Sequence, residues 1–444
     1  MTLPLLRFDQ PRDRQALTAL IDRLRAQAHA TGPIAQQVAA IVEDVRLHGD
    51  DAIVRYMRQW TNPDFTAAMI RVSIDELARA ERSLDPALHT ALARSIDHVR
   101  QYQSHIRPVD PPAIDIDGAQ LGLRFTPIHR VGLHVPGGKA AYPSSVIMLA
   151  VPAQVAGVEH LSIVSPPPTT APSSTSKAAA DISPLVLGVA HMLGLTRVYR
   201  IGGAQAIAAL AFGSESVEKV DFIAGPGNAY TQQAKRQLFG LIGIDGFFGP
   251  SEIVIFADES ANPAHLASDL LAQAEHDPGC CFLISTSQAV IDRTLDEIAR
   301  QLPSLSRRQP LEKSLRDWSA AVLVPDESAA CELIDTIAAE HVTLATREPH
   351  TTLSKLRHGG AWFLGDQTPV ASGDYYAGPS HCLPTGTTAR FTSGLSVYTF
   401  LKRSSVETYP RGLPPHAIDD IATFATAEGL DAHAASVRLR GRQA

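Results

Sequence analysis

The chain has 444 residues, 45% of them hydrophobic and 19% charged, with a formal net charge of -7. Such a chain suits a globular protein of two or three domains. The acidic balance, without any Lys/Arg-rich run, argues against nucleic-acid binding, and the longest nearly apolar stretch, Val146 to Val158, is too short for a bilayer and is broken by Pro152 and Gln154.

The first residues carry no basic segment leading into a long apolar core, so no secretory signal is expected. Residues 33–107 read as mostly helical. Ala35 to His48 and Ser73 to His105 carry apolar residues at three- and four-residue spacing among strong helix formers, and Pro86 must begin a new helix or kink the old one. From about 124 the texture changes. Val131 to Val135, Leu161 to Val164, Val198 to Ile201 and Val220 to Ala224 read as strands. Helices are expected at 145–157, 204–212 and 229–238. Residues 165–183, rich in Pro, Ser and Thr, cannot build a core and read as a flexible surface loop.

The alternation resumes after Gly249-Pro250. Strands are expected at 252–256, 281–285, 321–324, 342–345 and 361–364, with helices at 264–275 and 328–339 between several of them. Strands alternating with helices imply parallel α/β sheets, hence two α/β modules with the second beginning near 250. The tail from about 396 ends in an amphipathic stretch around Ile418–Val437. The four cysteines, Cys280, Cys281, Cys331 and Cys382, form no Cys-x-x-Cys and suit free thiols in a reducing cytoplasm. Cys280 and Cys281 open an apolar run and read as core rather than as nucleophiles.

Three features carry chemistry. Gln273 and His276, three apart at the end of a helix, share one face. The pair is read either as a polar helix end or as two ligands of a divalent metal, with Asp374, His381 and His433 as further candidates. Glycine-rich loops follow several strands of the first module, such as Gly225-Pro226-Gly227-Asn228, where ligands and phosphates settle. The fingerprint Gly-x-Gly-x-x-Gly is absent, so tight βα turns and a nucleotide site both remain open. Glu340-His341 stands where a helix gives way to a strand. It is either a surface pair or an acid–base pair facing one cavity.

Together these pieces resemble the histidinol dehydrogenase family. The stretches that carry the resemblance are Val-Pro-Gly-Gly-Lys-Ala-Ala-Tyr-Pro-Ser-Ser-Val (135–146), Gly-Gly-Ala-Gln-Ala-Ile-Ala-Ala-Leu-Ala-Phe-Gly (202–213), Gly-Pro-Gly-Asn-Ala-Tyr (225–230), Gly-Pro-Ser-Glu (249–252), Asp-Leu-Leu-Ala-Gln-Ala-Glu-His (269–276), Glu-His (340–341) and Gly-Asp-Tyr-Tyr-Ala-Gly-Pro-Ser-His-Cys-Leu-Pro-Thr (373–385). The resemblance implies oxidation of L-histidinol to L-histidine through histidinal, with zinc and two NAD, at the close of histidine biosynthesis in the cytoplasm. It implies zinc on Gln273, His276, Asp374 and His433, and catalysis by Glu340 and His341. Substrate contacts would come from Ser251, His381 and Glu428 besides His341 and the zinc ligands, and NAD contacts from His134, Gln205 and Asn228. It further implies a homodimer with shared sites, His433 serving the other subunit.

The fold expected by resemblance is a pair of Rossmann-like α/β domains, one inserted in the other. Residues 1–30 would be an N-terminal dimerisation segment, 31–133 the first part of domain 1, 134–252 the inserted domain 2, and 253–395 the second part of domain 1. Residues 396–444 would form a tail reaching the partner. The sequence departs from the family pattern at Ala338-Ala339-Glu340-His341, where Ala-Pro-Glu-His is usual, at Gly246-Phe247-Phe248, in the long 165–183 loop, and at His134, where tyrosine is frequent. Relatives that oxidise sulfonated diols are disfavoured by Glu428 and His433, since a sulfonate would call for cationic residues. A zinc hydrolase using Glu340 and a metal-bound water would need no dinucleotide and would reduce no NAD.

Overall fold

The computed structural model describes residues 3–27, 32–137, 142–167, 181–276 and 278–441. The core of the loop expected at 165–183 and the residue after His276 therefore lie outside the described residues. The strands, in chain order, are β1 (Leu5–Arg7), β2 (Ile114–Ile116), β3 (Ala119–Pro127), β4 (Arg130–His134), β5 (His160–Val164), β6 (Arg197–Tyr199), β7 (Phe222–Ala224) and β8 (Gly243–Ile244). They continue with β9 (Ser251–Ala257), β10 (Gly279–Ser285), β11 (Ala320–Leu323), β12 (His341–Ala345), β13 (Ala361–Leu364) and β14 (Leu401–Thr408).

Among the described residues these form a six-stranded sheet, ordered β1-β11-β10-β9-β12-β13, and a five-stranded sheet, ordered β6-β5-β4-β7-β8. Every pairing in both is parallel. The smaller sheet occupies one continuous stretch between β1 and β9 of the larger. The apolar runs at β9 and β10 follow from burial on both faces. Ile253, Ile255, Cys281 and Leu283 enter one core, while Val254, Phe256, Cys280 and Phe282 enter the core on the opposite face. All four cysteines are buried and unbridged, in keeping with the core reading.

The helices of residues 33–106 depart from the expected division, which placed residues 31–133 with the larger sheet. Val38, Ile41, Ile53 and Met57 pack with Ile207, Leu210 and Leu238, and Leu77, Leu92, Ile96 and Val99 pack with Met148, Val186 and Val189. Their apolar stripes therefore cover the smaller sheet's helices. The boundary at 134–252 also shifts. The smaller sheet already begins at Arg130, and Ser251 and Glu252 belong to the larger sheet. The segment expected to serve dimerisation, residues 1–30, supplies the edge strand β1, and its helix Pro11–Gln27 buries Leu17, Ile21 and Leu24 against the larger sheet. Spacing of i, i+4 and i+7 gives that helix one apolar face, and this chain itself covers it.

The helix expected to end at His48 runs on from Pro33 to Trp60 through a kink at Gly49, whose φ is 47°. Pro86 begins a separate helix, Pro86–Ile106, with Asp85 capping its N-terminus. A third sheet was not expected from the sequence: β14 and β2 flank β3, both antiparallel. From β14 the chain continues into the helices Pro415–Ala427 and Asp431–Gly441, which pack on each other through Ala422, Ala425 and Ala434. No described helix is long and apolar enough to cross a membrane.

Candidate active site

The helix Glu327–Ile337 stops at Ala338, which adopts a left-handed conformation (φ 48°, ψ 53°) unfavourable to a residue with a Cβ. That turn delivers Glu340 and His341 to the start of β12. The Glu340 backbone is held by Ala361 N, which donates to its carbonyl at 2.7 Å. Its carboxylate oxygen Oε1 accepts from Ser251 Oγ and, at 3.0 Å, from Glu252 N. Gln273 Nε2 in turn donates to Ser251 Oγ at 2.6 Å. Gly279 opens β10 directly against this helix end, where a Cβ would lie 2.0 Å from the Gln273 carbonyl oxygen.

His341 is 4% exposed, and neither of its ring nitrogens has a hydrogen-bond partner among the described residues. Nδ1 lies 3.6 Å from Glu340 Oε1 and Nε2 lies 3.9 Å from Asp374 Oδ1. Burial, reinforced by the nearby His276, lowers its pKa to about 3 and keeps the ring neutral. Burial pushes Glu340 well above the usual carboxyl range, opposed by the Ser251 hydroxyl and reinforced by the neighbouring Glu252. Burial likewise raises Glu252 to about 8 and Asp374 to about 6. His381 Nδ1 donates to the Asp374 carbonyl at 3.2 Å, and its Nε2 lies 3.4 Å from Ser145 Oγ. Loss of water around the ring brings His381 to about 4.

Ser251, Gln273, Glu340, His341, Asp374 and His381 thus come together, with His276 close enough that its charge acts on both His341 and His381. The cluster lies at the amino ends of β9, β10 and β12, where the helices Pro263–Ala274 and Glu327–Ile337 end. Helix C-termini carry partial negative charge and favour a cation. Amide oxygen, imidazole and carboxylate are the donors a zinc ion takes, so Gln273, His276 and Asp374 fit that metal. The fourth expected ligand, His433, is exposed on the tail helix Asp431–Gly441, and Glu428 is exposed between the two tail helices. Among the described residues neither makes a side-chain hydrogen bond. The compact group of His, Glu, Asp or Cys donors found among the described residues lies elsewhere, at His129, Glu159 and His160.

The residues expected to contact NAD stand apart from this cluster, at the carboxyl ends of the smaller sheet's strands. His134 ends β4. Its Nδ1 donates to the Pro226 carbonyl at 2.5 Å, Nε2 is buried without a partner among the described residues, and burial lowers its pKa to about 4. Gln205 is buried in the first turn of the helix Gly203–Phe212, with Nε2 3.8 Å from Met57 Sδ. Asn228 caps the helix Ala229–Leu238, accepting from Tyr230 N and Thr231 N at 3.0 and 3.1 Å. Gly225 is required by its backbone: φ is 116°, and a Cβ would lie 2.2 Å from the His134 carbonyl oxygen. The two regions touch where Ser145 and Met148 of the helix Pro143–Ala156 meet His381 and Ser380.

Sequence reasoning passed over several residues. Glu252 was visible as a carboxylate opening an otherwise apolar strand. Lys235 and Asp245, both buried and 2.5 Å apart, carried no local signal, because they are ten residues apart and meet only through the fold. Ser145 was one hydroxyl in a conspicuous motif, with nothing to tie it to His381.

The fold and site define a parallel α/β enzyme, with a buried Glu–His pair on one sheet beside glycine-turn loops on another. The histidinol dehydrogenase family profile matches residues 24–441. The histidinol dehydrogenase of Rhodopirellula baltica is 43% identical over 417 residues, 94% of this chain and 88% of that protein. That of Caulobacter vibrioides is 43% identical over 439 residues, 98% of each chain. The crystal structure of histidinol dehydrogenase from Elizabethkingia anophelis is similar at a TM-score of 0.89 and 28% identity, covering 99% of this chain and 98% of that one. The chain belongs to the histidinol dehydrogenase family, oxidoreductases acting on an alcohol and an aldehyde.

Proposed function

We propose that this protein oxidises L-histidinol to L-histidine through histidinal in two NAD-dependent steps, as the last reaction of histidine biosynthesis in the cytoplasm. The observation that carries this reading is His341, a buried, neutral imidazole with both nitrogens unpartnered, beside Glu340. Gln273, His276, Asp374 and a tail His433 would hold zinc, which would supply orientation of the substrate, and His134, Gln205 and Asn228 would hold NAD, which would supply the hydride acceptor.

The chain's own residues move the protons. His341 accepts the hydroxyl proton as hydride leaves the alcohol carbon, giving the aldehyde. Glu340 then takes a proton from the water that hydrates the aldehyde, and Ser251, hydrogen-bonded to it, holds its orientation. The aldehyde oxygen takes back the proton from His341 as the water oxygen bonds to its carbon. His341 accepts a proton again from the resulting diol as the second hydride leaves, giving the carboxylic acid, which ionises to the carboxylate. Burial raises the Glu340 pKa, which increases its affinity for the proton it takes from water. Ser251 and His381 bound the substrate pocket within one chain. Glu428 and His433 complete it from the partner subunit of a homodimer, with Glu428 recognising the imidazole. Their exposure, and the lack of a side-chain hydrogen-bond partner among the described residues, support that reading.

The test is the yield of NADH per L-histidinol, with zinc, after chelation and after zinc is restored. Two NADH per histidinol, lost on chelation and regained with zinc, is the expected result. Absence of NADH would overturn the proposal and leave the zinc hydrolase reading.

A further inference from the structure

At the opposite end of β4 from His134, three metal-type donors converge outside the site described above. His129 immediately precedes β4, Glu159 immediately precedes β5, and His160 begins β5. The parallel ladder places Arg130 opposite His160, and His160 N donates to the His129 carbonyl at 3.2 Å. The backbone, rather than chance side-chain rotamers, therefore sets the three residues side by side. His129 Nε2 lies 3.1 Å from Glu159 Oε2, and the two imidazoles stand edge to face, with centroids 4.9 Å apart at 75°. One ligand atom from each residue lies within 4.8 Å of the other two. His160 Nδ1 is buried and has no hydrogen-bond partner among the described residues.

We propose that His129, Glu159 and His160 form a second divalent-cation site of the zinc class, separate from the catalytic cluster. Two imidazoles and a carboxylate are donors that zinc and its first-row neighbours accept, with a solvent molecule in the fourth position. Zinc bonds of about 2.0–2.1 Å at a tetrahedral angle separate two ligand atoms by about 3.3 Å, so the His129–Glu159 pair needs to open only slightly. The ion takes the place of the His129–Glu159 hydrogen bond, each residue offering it one ligand atom. The exposure of His129 and Glu159 leaves the fourth position to water. Bound there, the ion clamps the turn between β3 and β4 to the start of β5. It is a structural ion of the smaller sheet, remote from the bond-making residues.

The test is the count of zinc ions retained per chain by the full-length enzyme after equilibration with Zn2+ alone and removal of free metal. The double variant His129→Gln/His160→Gln is expected to retain one ion fewer than the wild type, with unchanged NAD reduction on histidinol. Equal counts would overturn the site and leave an ordinary surface ion pair. Should the double variant fail to fold, Glu159→Gln serves instead. A loss of zinc affinity of about tenfold or more supports the site, and unchanged affinity at that variant refutes it.

Discussion

Burial leaves both nitrogens of His341 without a hydrogen-bond partner among the described residues and lowers its pKa to about 3, which keeps the ring neutral. Asn at this position keeps a polar group of similar shape without a useful base. His341→Asn is therefore expected to lower turnover by about 10²–10⁴-fold, the usual worth of a positioned proton acceptor, with little change in zinc content. NADH formation at saturating histidinol, paired with a metal count, checks this; near-normal turnover would remove His341 as the base. The dipeptide Glu340-His341 was legible in the sequence, and so was its place at a helix end. Its burial was not, because that depends on Glu252, Phe363 and Asp374, which come from three other segments. Glu252 shows the converse. Its identity was plain, yet only the partnering of β9 with β12 puts its backbone N–H on Glu340 and buries its carboxyl beside it.

Lys235 and Asp245 act at the level of elements. Lys235 Nζ donates to the Gly225 carbonyl at 3.1 Å and to Asp245 Oδ1 at 2.5 Å, and Asp245 Oδ2 accepts from Gly225 N at 2.6 Å. The helix Ala229–Leu238, the segment after β8 and the turn after β7 are thereby joined at one residue. With exposures of 0% and 2%, neither charge has water to fall back on. Lys235→Met is expected to destabilise the protein by about 3–5 kcal/mol, since it strands a buried carboxylate. A urea titration with unchanged slope checks it. A midpoint shift equivalent to less than about 1 kcal/mol would mean that the pair is not the clamp described. The βα alternation of these elements was legible from short apolar runs followed by helical patterns. The clamp was not, because ion pairing across a turn leaves no periodic trace.

The tail raises a question of the whole molecule. Its two helices bury only alanines against each other, while Phe424 is 70% exposed and Leu439 62%. A hairpin so thinly packed gains little from its own contacts. An apolar surface of this kind is suited to covering by a second subunit, in line with the proposed dimer. Mixing subunits provides the check. His433→Ala and His276→Ala chains, each expected to lose zinc and turnover alone, should recover part of the activity when combined, since one of the two shared sites then keeps all its ligands. Verified mixed dimers without recovered activity would count against sharing. The tail's amphipathic character was readable from its sequence, and its separation from this chain's own Glu340–His341 cluster was expected from the family resemblance; how thinly its two helices pack was not.

Apolar periodicity, proline and glycine placement and long ordered motifs were enough to assign the parallel α/β class, most of the strands and the family, and to single out the Glu340-His341 dipeptide. These are properties of a chain's own neighbours, and local sterics and burial write them into a few residues at a time. Which sheet the helices of residues 33–106 cover, and that β1 joins the larger sheet, depended on contacts between distant segments. So did the meeting of the larger sheet's amino ends with the carboxyl-end helix of the smaller one at Ser145 and His381. Such contacts are selected by how whole apolar faces fit together, and no stretch of sequence read alone contains that fit.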